Sequence, residues 1–113
     1  MALPHPVGAE LAELIARRFR ILGEPMRIRI LDSLRHGESS VTELTAAVAG
    51  TQQNVSKHLG VLLDAGLVSR RKDGNRVLYE IADDSIFAVC EQICGSLERQ
   101  IAGLGALVSG ARS

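Results

Sequence analysis

The sequence predicts a mainly α-helical domain that carries one small β-hairpin. Apolar residues recur every three or four positions in about five segments, which is the spacing that buries one face of a helix. Two strand-like runs surround Asp73-Gly74-Asn75, a short hairpin signal. The chain has 113 residues, of which 46% are hydrophobic, so it is long enough for one domain with a modest core.

The two ends of the chain differ from its middle. Residues 1–7 are predicted to form a flexible arm, residues 8–108 the folded domain, and residues 109–113 a flexible tail. The sequence contains neither a signal-peptide pattern nor an apolar run long enough to cross a membrane. We therefore expect a cytoplasmic protein that makes no membrane contact.

Two helices are predicted before residue 37. The first runs from about Gly8 to Leu22, and its apolar stripe could pack on its own domain or on a partner subunit. The second begins near Pro25, because proline suits the first turn of a helix, and runs to about His36. In its first turn, Arg27 is expected to be solvated or to join an internal ion pair.

Two further helices, joined by a tight turn, are predicted between residues 40 and 68. In the first, the Ser40 hydroxyl and the Glu43 carboxylate form a capping box, and Gly50 ends the helix. Thr51 is a good N-cap for the second helix. The predicted buried face of this second helix consists of Val55, Leu59, Leu62 and Leu63.

The opposite face of the helix that follows Thr51 is polar, and we call this helix the reader helix. It presents Gln53 and Lys57, with Asn54 and Ser56 on its flanks. A helix that is held by its apolar face and presents amides, a hydroxyl and an amine suits hydrogen bonding to base edges in the major groove of DNA. Plain solvation gives the same pattern in any small amphipathic helix, so the pattern alone leaves both interpretations open.

The hairpin that follows the reader helix is basic. From Lys57 to Arg76 the chain has five basic residues against two acidic ones, although the whole chain has a formal net charge of zero. A basic hairpin directly after a two-helix reader suits a wing that contacts phosphates. The alternation of Val77, Tyr79 and Ile81 predicts that this side is covered, with the Tyr79 ring on the reader helix. Only 3% of residues are aromatic, which disfavours stacking on single-stranded nucleic acid.

Five fragments, in their order along the chain, resemble the ArsR/SmtB family of small bacterial winged-helix regulators. They are Leu22-Gly-Glu-Pro-Met-Arg27, Thr42-Glu-Leu44, Asn54-Val-Ser-Lys-His-Leu59, Leu63-Asp-Ala-Gly-Leu-Val68 and Gly74-Asn-Arg-Val-Leu-Tyr79. The resemblance implies a winged helix-turn-helix fold of about five helices plus a two-stranded wing. It also implies a homodimer formed by the first and last helices, double-stranded operator DNA as the ligand, and an affinity changed by a metal ion or by thiol chemistry.

The resemblance and the polar face together predict a DNA-contacting surface. Its residues are Gln52, Gln53, Asn54, Ser56, Lys57, His58, Arg70, Arg71, Lys72 and Arg76. Gln53 is expected to pair with adenine and Lys57 to contact phosphate. His58 could contact backbone phosphate or pack between helices. Arg27 matches a family arginine, which adds a phosphate contact to its alternatives.

The last helix is predicted to begin near Asp84 and to carry a long apolar seam suited to a partner helix. The seam continues through Leu104 and Val108. Together with the first helix, this seam supplies the predicted dimer interface. Its residues are Leu11, Leu14, Ile15, Ile86, Cys90, Ile93, Leu97 and Ile101.

Cys90 and Cys94 lie four residues apart on or beside that seam. In a regular helix such side chains have Cβ atoms about 5–6 Å apart, whereas a disulfide needs about 3.8 Å, so we do not expect a direct bridge. Buried cysteines on an apolar stripe commonly act as small hydrophobic residues. The alternative is a sensing role, for which the two thiols could bind a soft metal.

The sensing sites known in the family are not present in their usual form. The segment Ser40-Val-Thr-Glu-Leu44 has no cysteine, and Ile86 stands where a histidine is expected. Three alternatives remain. Cys90 and Cys94, joined by His5 from the arm of a second copy, could bind zinc, nickel or arsenic(III). The same cysteines could respond through oxidation or persulfide chemistry. The chain could also sense no small molecule.

The function predicted from these patterns is a sequence-specific DNA-binding transcriptional regulator. Repression is favoured over activation, because a dimer on an operator blocks polymerase without further machinery. An enzyme is not expected, since the sequence has no glycine-rich phosphate loop and no nucleophile motif. The alternatives are a winged-helix module that binds another protein and a DNA-binding activator that works with a companion sensor protein.

Overall fold

A computed structural model of the protein describes residues 1–101, 103, 105 and 107. In chain order the elements are α1 (Ala9–Leu22), α2 (Pro25–Leu34), β1 (Ser39–Ser40), α3 (Val41–Ala47), α4 (Gln52–Asp64), β2 (Val68–Asp73), β3 (Arg76–Ile81) and α5 (Ser85–Gln100). The chain divides into one compact unit, Met1–Ala82, and a second that begins at Asp83 and contains α5. No helix in the described part of the chain is long and apolar enough to cross a membrane.

The helix starts follow local capping rules that the sequence already shows. Ser40 accepts a hydrogen bond from the backbone N–H of Glu43, whose carboxylate accepts one from the Ser40 backbone, so the predicted capping box is confirmed. Thr51 accepts from the N–H of Asn54 and caps α4, the reader helix. The predicted ends of the helices are less accurate than their starts, because α3 ends at Ala47 and not near Gly50.

The predicted two-stranded wing is confirmed as the hairpin of β2 and β3, and this hairpin belongs to a three-stranded antiparallel sheet in the order β1-β3-β2. Asp73 pairs with Arg76, which leaves a tight two-residue turn in which Gly74 has a φ of +63°. The additional strand β1 has only two residues, and it pairs with the middle of β3. Strand β1 runs directly into α3, so it joins the start of α3 to the hairpin.

The core lies between α2, α3, the reader helix and the sheet. Its fully buried side chains are Ile30, Leu44, Val55, Leu59, Leu62 and Leu67. Each leucine or isoleucine buried in this way stabilises the fold by about 1.5–3 kcal/mol relative to its exposed state. The predicted stripe of the reader helix is therefore confirmed at three of its positions, while Leu63 is only half-buried.

Strand β3 does not follow the predicted alternation. Leu78 and Tyr79 are 6% and 8% exposed, although neighbouring residues in a strand point to opposite faces. Both faces of the strand are therefore covered at this point, whereas Val77 and Ile81 are only half-buried. The prediction of one covered side was wrong because it assumed a hairpin with a single protected face.

Helix α5 carries apolar side chains that remain exposed. Val89, Ile93, Leu97 and Ile101 are 37–49% exposed, whereas Ile86 near the start of the helix is 3% exposed. Ile101 has an extended backbone and caps the helix. The predicted continuation of the seam through residues 104 and 108, and the predicted tail at 109–113, lie outside the described residues.

Candidate nucleic-acid interface

The reader helix places five predicted contact residues on its exposed side. Gln52, Gln53, Asn54, Ser56 and Lys57 are all exposed, while the opposite side of the helix is fixed in the core by side chains with 0% exposure. Gln53 and Lys57 are four residues apart and therefore lie on the same face. A rigidly held helix with one amide and one amine on its outer face can present both groups to a DNA groove.

Gln52 is held by the preceding helix. Its side-chain Nε2 donates a hydrogen bond to Thr42 Oγ1 of α3 at 3.1 Å. This contact orients the amide at the first turn of the reader helix and connects α3 with α4. Thr42 was not among the predicted site residues, because its role depends on a contact across the turn between the two helices.

His58 takes the packing position, which was one of its two predicted alternatives. It is 7% exposed, and its Nδ1 accepts a hydrogen bond from Arg27 Nε at 3.1 Å. Burial, and then the positive charge of Arg27, lower the pKa of His58 below its ordinary value. The buried imidazole is therefore neutral near pH 7.

Arg27 is half-buried and donates hydrogen bonds within the protein. Besides the bond to His58, its Nη1 donates to the backbone carbonyl of Ile21 at 3.1 Å. The guanidinium is thus used in internal hydrogen bonds, so the predictions of a solvated side chain and of an ion pair were wrong, whereas the phosphate contact stays a prediction. The sequence gives no local signal for this arrangement, since Arg27 and His58 are 31 residues apart.

The four predicted cations of the basic hairpin differ in whether a carboxylate of the protein binds them. Arg70 and Lys72 are exposed, and within the described residues neither forms an ion pair. Arg71 donates two hydrogen bonds to the Glu38 carboxylate, including Nε to Oε2 at 3.0 Å, and Arg76 donates to Glu43. Half of the predicted wing cations are therefore matched by a carboxylate in the protein without DNA.

These ion pairs change the titration of the acids. The hydrogen bond from Arg71 lowers the pKa of Glu38, and Glu38 in turn raises the pKa of Arg71. For Glu43 the largest cause is the hydrogen bond from the Ser40 backbone, and Arg76 adds to it, so its pKa is lowered as well. Both pairs stay charged at neutral pH. Neither Glu38 nor Glu43 was predicted to be part of the site, because each lies 33 residues from its arginine.

The cysteines stand one turn apart on α5. Cys90 and Cys94 are both thiols of intermediate exposure. In the part of the chain that the structure describes, no three or more His, Cys, Asp or Glu residues come together in a way that could hold a metal ion. The buried Ile86 side chain, at the position where a histidine was expected, offers no ligand atom, so the usual form of that metal site does not fit this chain.

Comparison with known proteins identifies the family. A family model described as a helix-turn-helix domain matches residues 22–71. An uncharacterised helix-turn-helix transcriptional regulator of Mycobacterium tuberculosis is 44% identical over 77 residues, which cover 67% of this chain and 68% of that protein. The biofilm growth-associated repressor of Agrobacterium fabrum is 32% identical over 91 residues, which cover 80% of this chain and 78% of that protein.

A solved structure agrees with these matches. It is the homodimeric winged helix-turn-helix DNA-binding domain of a possible ArsR-family transcriptional regulator from Mycobacterium bovis, with a TM-score of 0.70 and 28% identity over 90% of this chain and 97% of that chain. The chain belongs to the ArsR/SmtB family. This confirms the resemblance found in the sequence. As an ArsR/SmtB member, the protein is a DNA-binding transcriptional regulator and not an enzyme.

Proposed function

We propose that this protein is a homodimeric repressor. It binds operator DNA through the reader helix, and the basic hairpin contacts the DNA beside that helix. The proposal is supported most strongly by the distribution of exposed and buried side chains on the reader helix. Gln53 and Lys57 are exposed on one face, whereas Val55, Leu59 and Leu62 on the other are fully buried. We assign base-edge hydrogen bonding to Gln53, phosphate contact to Lys57, and phosphate or minor-groove contact to Arg70 and Lys72.

Sequence specificity is tested by titrating fluorescent duplexes that carry the DNA upstream of the protein's own gene, with a shuffled duplex for comparison. The Gln53→Ala variant should lose discrimination between the two duplexes by about 1–3 kcal/mol if the amide pairs with a base. Arg29→Ala, on the exposed side of α2 and outside the predicted contact surface, serves as the control. Equal affinity of the unaltered protein for both duplexes contradicts the proposal of a specific operator.

Exposed apolar side chains on α1 and on α5 support the homodimer. On α1, Leu14 and Phe19 are 58% and 53% exposed, and α5 exposes Ile93 and Leu97. Exposed large apolar side chains favour burial against a second copy, and Ile93 and Leu97 have the spacing of one helix face. A two-fold dimer would present two reader helices to half-sites about 34 Å apart. Sedimentation of the Leu14→Glu and Ile93→Glu variants tests this, since both should shift the protein towards the monomer. Arg29→Glu on the exposed side of α2 should not.

Repression follows from occupancy of the operator, because a bound dimer excludes polymerase from the promoter. The name of the Agrobacterium fabrum relative, a repressor, supports this sign of regulation. A reporter gene behind the operator should be silenced when the protein is expressed in the same cytoplasm, and released when Gln53 is replaced by alanine. Stimulation of the reporter would instead favour activation.

We also propose that Cys90 and Cys94 make the DNA affinity responsive to oxidants or soft metals, with His5 of a second copy as a candidate third ligand. Two thiols of intermediate exposure, one helical turn apart, support the proposal. The double Cys90→Ala, Cys94→Ala variant should bind operator DNA as the unaltered protein does but lose any response to zinc, nickel, arsenite or peroxide. Identical responses of the two proteins refute the assignment. His5→Ala separates the metal response from oxidation.

A further inference from the structure

Arg27 connects three helices of the DNA-binding unit. It lies in the first turn of α2, donates through Nη1 to the carbonyl of Ile21 in the last turn of α1, and donates through Nε to His58 of the reader helix. The last carbonyls of a helix have no partner within the helix, so Arg27 satisfies a group that α1 leaves open. One guanidinium therefore connects the end of a proposed dimer helix with the middle of the reader helix.

A second arginine connects α1 with the C-terminal end of the reader helix. Arg18 of α1 donates through Nη2 to the carbonyl of Ala65 at 3.2 Å. Ala65 is the C-cap of α4, where the helix dipole and the open carbonyls favour a cation. The reader helix is thus attached to α1 at two points, and its orientation on α1 is fixed by hydrogen bonds as well as by the core.

The bond between Arg27 and His58 requires a neutral imidazole. Nδ1 accepts the hydrogen bond, so the ring carries its single proton on Nε2. A second proton would occupy Nδ1, remove the acceptor and set an imidazolium against the guanidinium. The charged groups that act on His58 are Arg27 and Lys57, which oppose this proton, and Glu24 at the start of α2, which favours it. The two positive charges that oppose protonation of His58 outnumber the one carboxylate that favours it.

We propose that Arg27 and His58 are positioning residues for DNA binding, which hold the reader helix at a fixed angle to α1 only while His58 is neutral. The inference rests on the proposed role of the reader helix and adds a cause for its orientation. In a dimer joined through α1, this angle sets the direction in which each reader helix enters its half-site. Protonation of His58 should therefore weaken operator binding, although it adds a positive charge that would by itself strengthen binding to DNA.

The experiment measures operator affinity by fluorescence anisotropy between about pH 7.5 and about pH 5.5, across the ordinary pKa of histidine. The variants are Arg27→Lys, which keeps the charge but cannot reach both acceptors in the same fork geometry, and His58→Gln, which keeps an acceptor but does not titrate. Arg29→Ala is the matched control, since it removes an exposed cation from the same helix. Thermal unfolding at each pH establishes that every variant is folded.

At neutral pH we expect Arg27→Lys to bind about fivefold more weakly than the unaltered protein, which corresponds to the loss of about one hydrogen bond. Arg29→Ala should stay within about twofold. His58→Gln should bind more tightly than Arg27→Lys, because its amide oxygen keeps an acceptor for Arg27. On acidification the unaltered protein should lose affinity, whereas His58→Gln should not.

Three results overturn the proposal. If folded Arg27→Lys binds as tightly as Arg29→Ala, or if acid strengthens binding by the unaltered protein and His58→Gln alike, Arg27 and His58 do not position the reader helix. If the unaltered protein has no affinity for operator DNA at any pH, the proposed function fails and the positioning role fails with it. Either of the first two results leaves the proposed function intact, so failure of the positioning role is distinguishable from failure of the proposed function.

Discussion

Glu38→Gln should strengthen DNA binding, because it releases a cation of the hairpin. In the protein without DNA, Arg71 is held by two hydrogen bonds to the Glu38 carboxylate, and this bond keeps the pKa of Glu38 low enough for the pair to be charged at neutral pH. A phosphate that binds Arg71 must displace this carboxylate. The glutamine side chain keeps the shape of the residue but loses its negative charge, so the displacement becomes easier.

The expected gain is modest, because both partners of the ion pair are partly exposed, at 52% for Arg71 and 34% for Glu38. Exposed pairs of this kind contribute little to stability, and their removal should tighten operator binding by about two- to fivefold at low salt. The gain should shrink as salt is added, because screening weakens both the original pair and the new phosphate contact.

The assay is a fluorescence titration of operator duplex at several salt concentrations, with Glu80→Gln as the matched control. Glu80 lies exposed on β3 of the same hairpin, and within the described residues no hydrogen bond joins it to an arginine side chain. Glu80→Gln removes the same charge and a Coulombic attraction on Arg71, but it leaves both hydrogen bonds from Arg71 to Glu38 in place. Equal gains for the two variants would mean that only the overall charge matters. A loss of affinity for Glu38→Gln would show that the ion pair holds Arg71 in its DNA-binding position.

Three further predictions concern stability. Folding lowers the pKa of His58 below its ordinary value of about 6.5, so the unfolded chain takes up the proton first as the pH falls. The free energy of unfolding should therefore be constant above about pH 6.5 and decrease below it. Urea titrations of His58→Gln should show a smaller decrease. Ser40→Ala removes the cap of α3 and should lower the free energy of unfolding by about 0.5–2 kcal/mol. Ser56→Ala, on the exposed face of the reader helix, should change the free energy of unfolding by less than about 0.5 kcal/mol. Equal losses for the two variants would refute the capping role. Leu59→Ala should cost about 2–5 kcal/mol in the same assay because it empties part of a fully buried site, and a cost below about 1 kcal/mol would contradict the core described above.

Features set by neighbouring residues could be predicted from the sequence. The capping box of Ser40 and Glu43 spans three positions, Thr51 caps the helix that it precedes, and Gly74 supplies the positive φ of the hairpin turn. The apolar stripe of the reader helix follows from helical spacing within one segment. These signals are local, since every partner lies within about one helical turn, and they were sufficient to identify the fold class and the exposed face of the reader helix.

Features that join distant segments could not be predicted in the same way. Strand β1 consists of two serines, a run too short for a strand pattern, and it forms only because β3 offers an open edge. The carboxylate partners of Arg71 and Arg76 and the bond between Arg27 and His58 bridge separations of 31 to 33 residues. A count of charges along the hairpin therefore gave too large a basic surface, because it omitted acids that folding brings beside the arginines.

The most direct measurement is the salt dependence of operator affinity for Lys57→Gln, with Arg29→Gln as a control for the loss of one exposed cation. If Lys57 contacts a phosphate in the groove, the variant should bind more weakly, and the slope of log K against log salt should decrease in magnitude by about 0.9. Arg29→Gln should leave the slope unchanged. A Lys57→Gln variant that matches the unaltered protein in both affinity and slope would show that the outer face of the reader helix does not enter DNA.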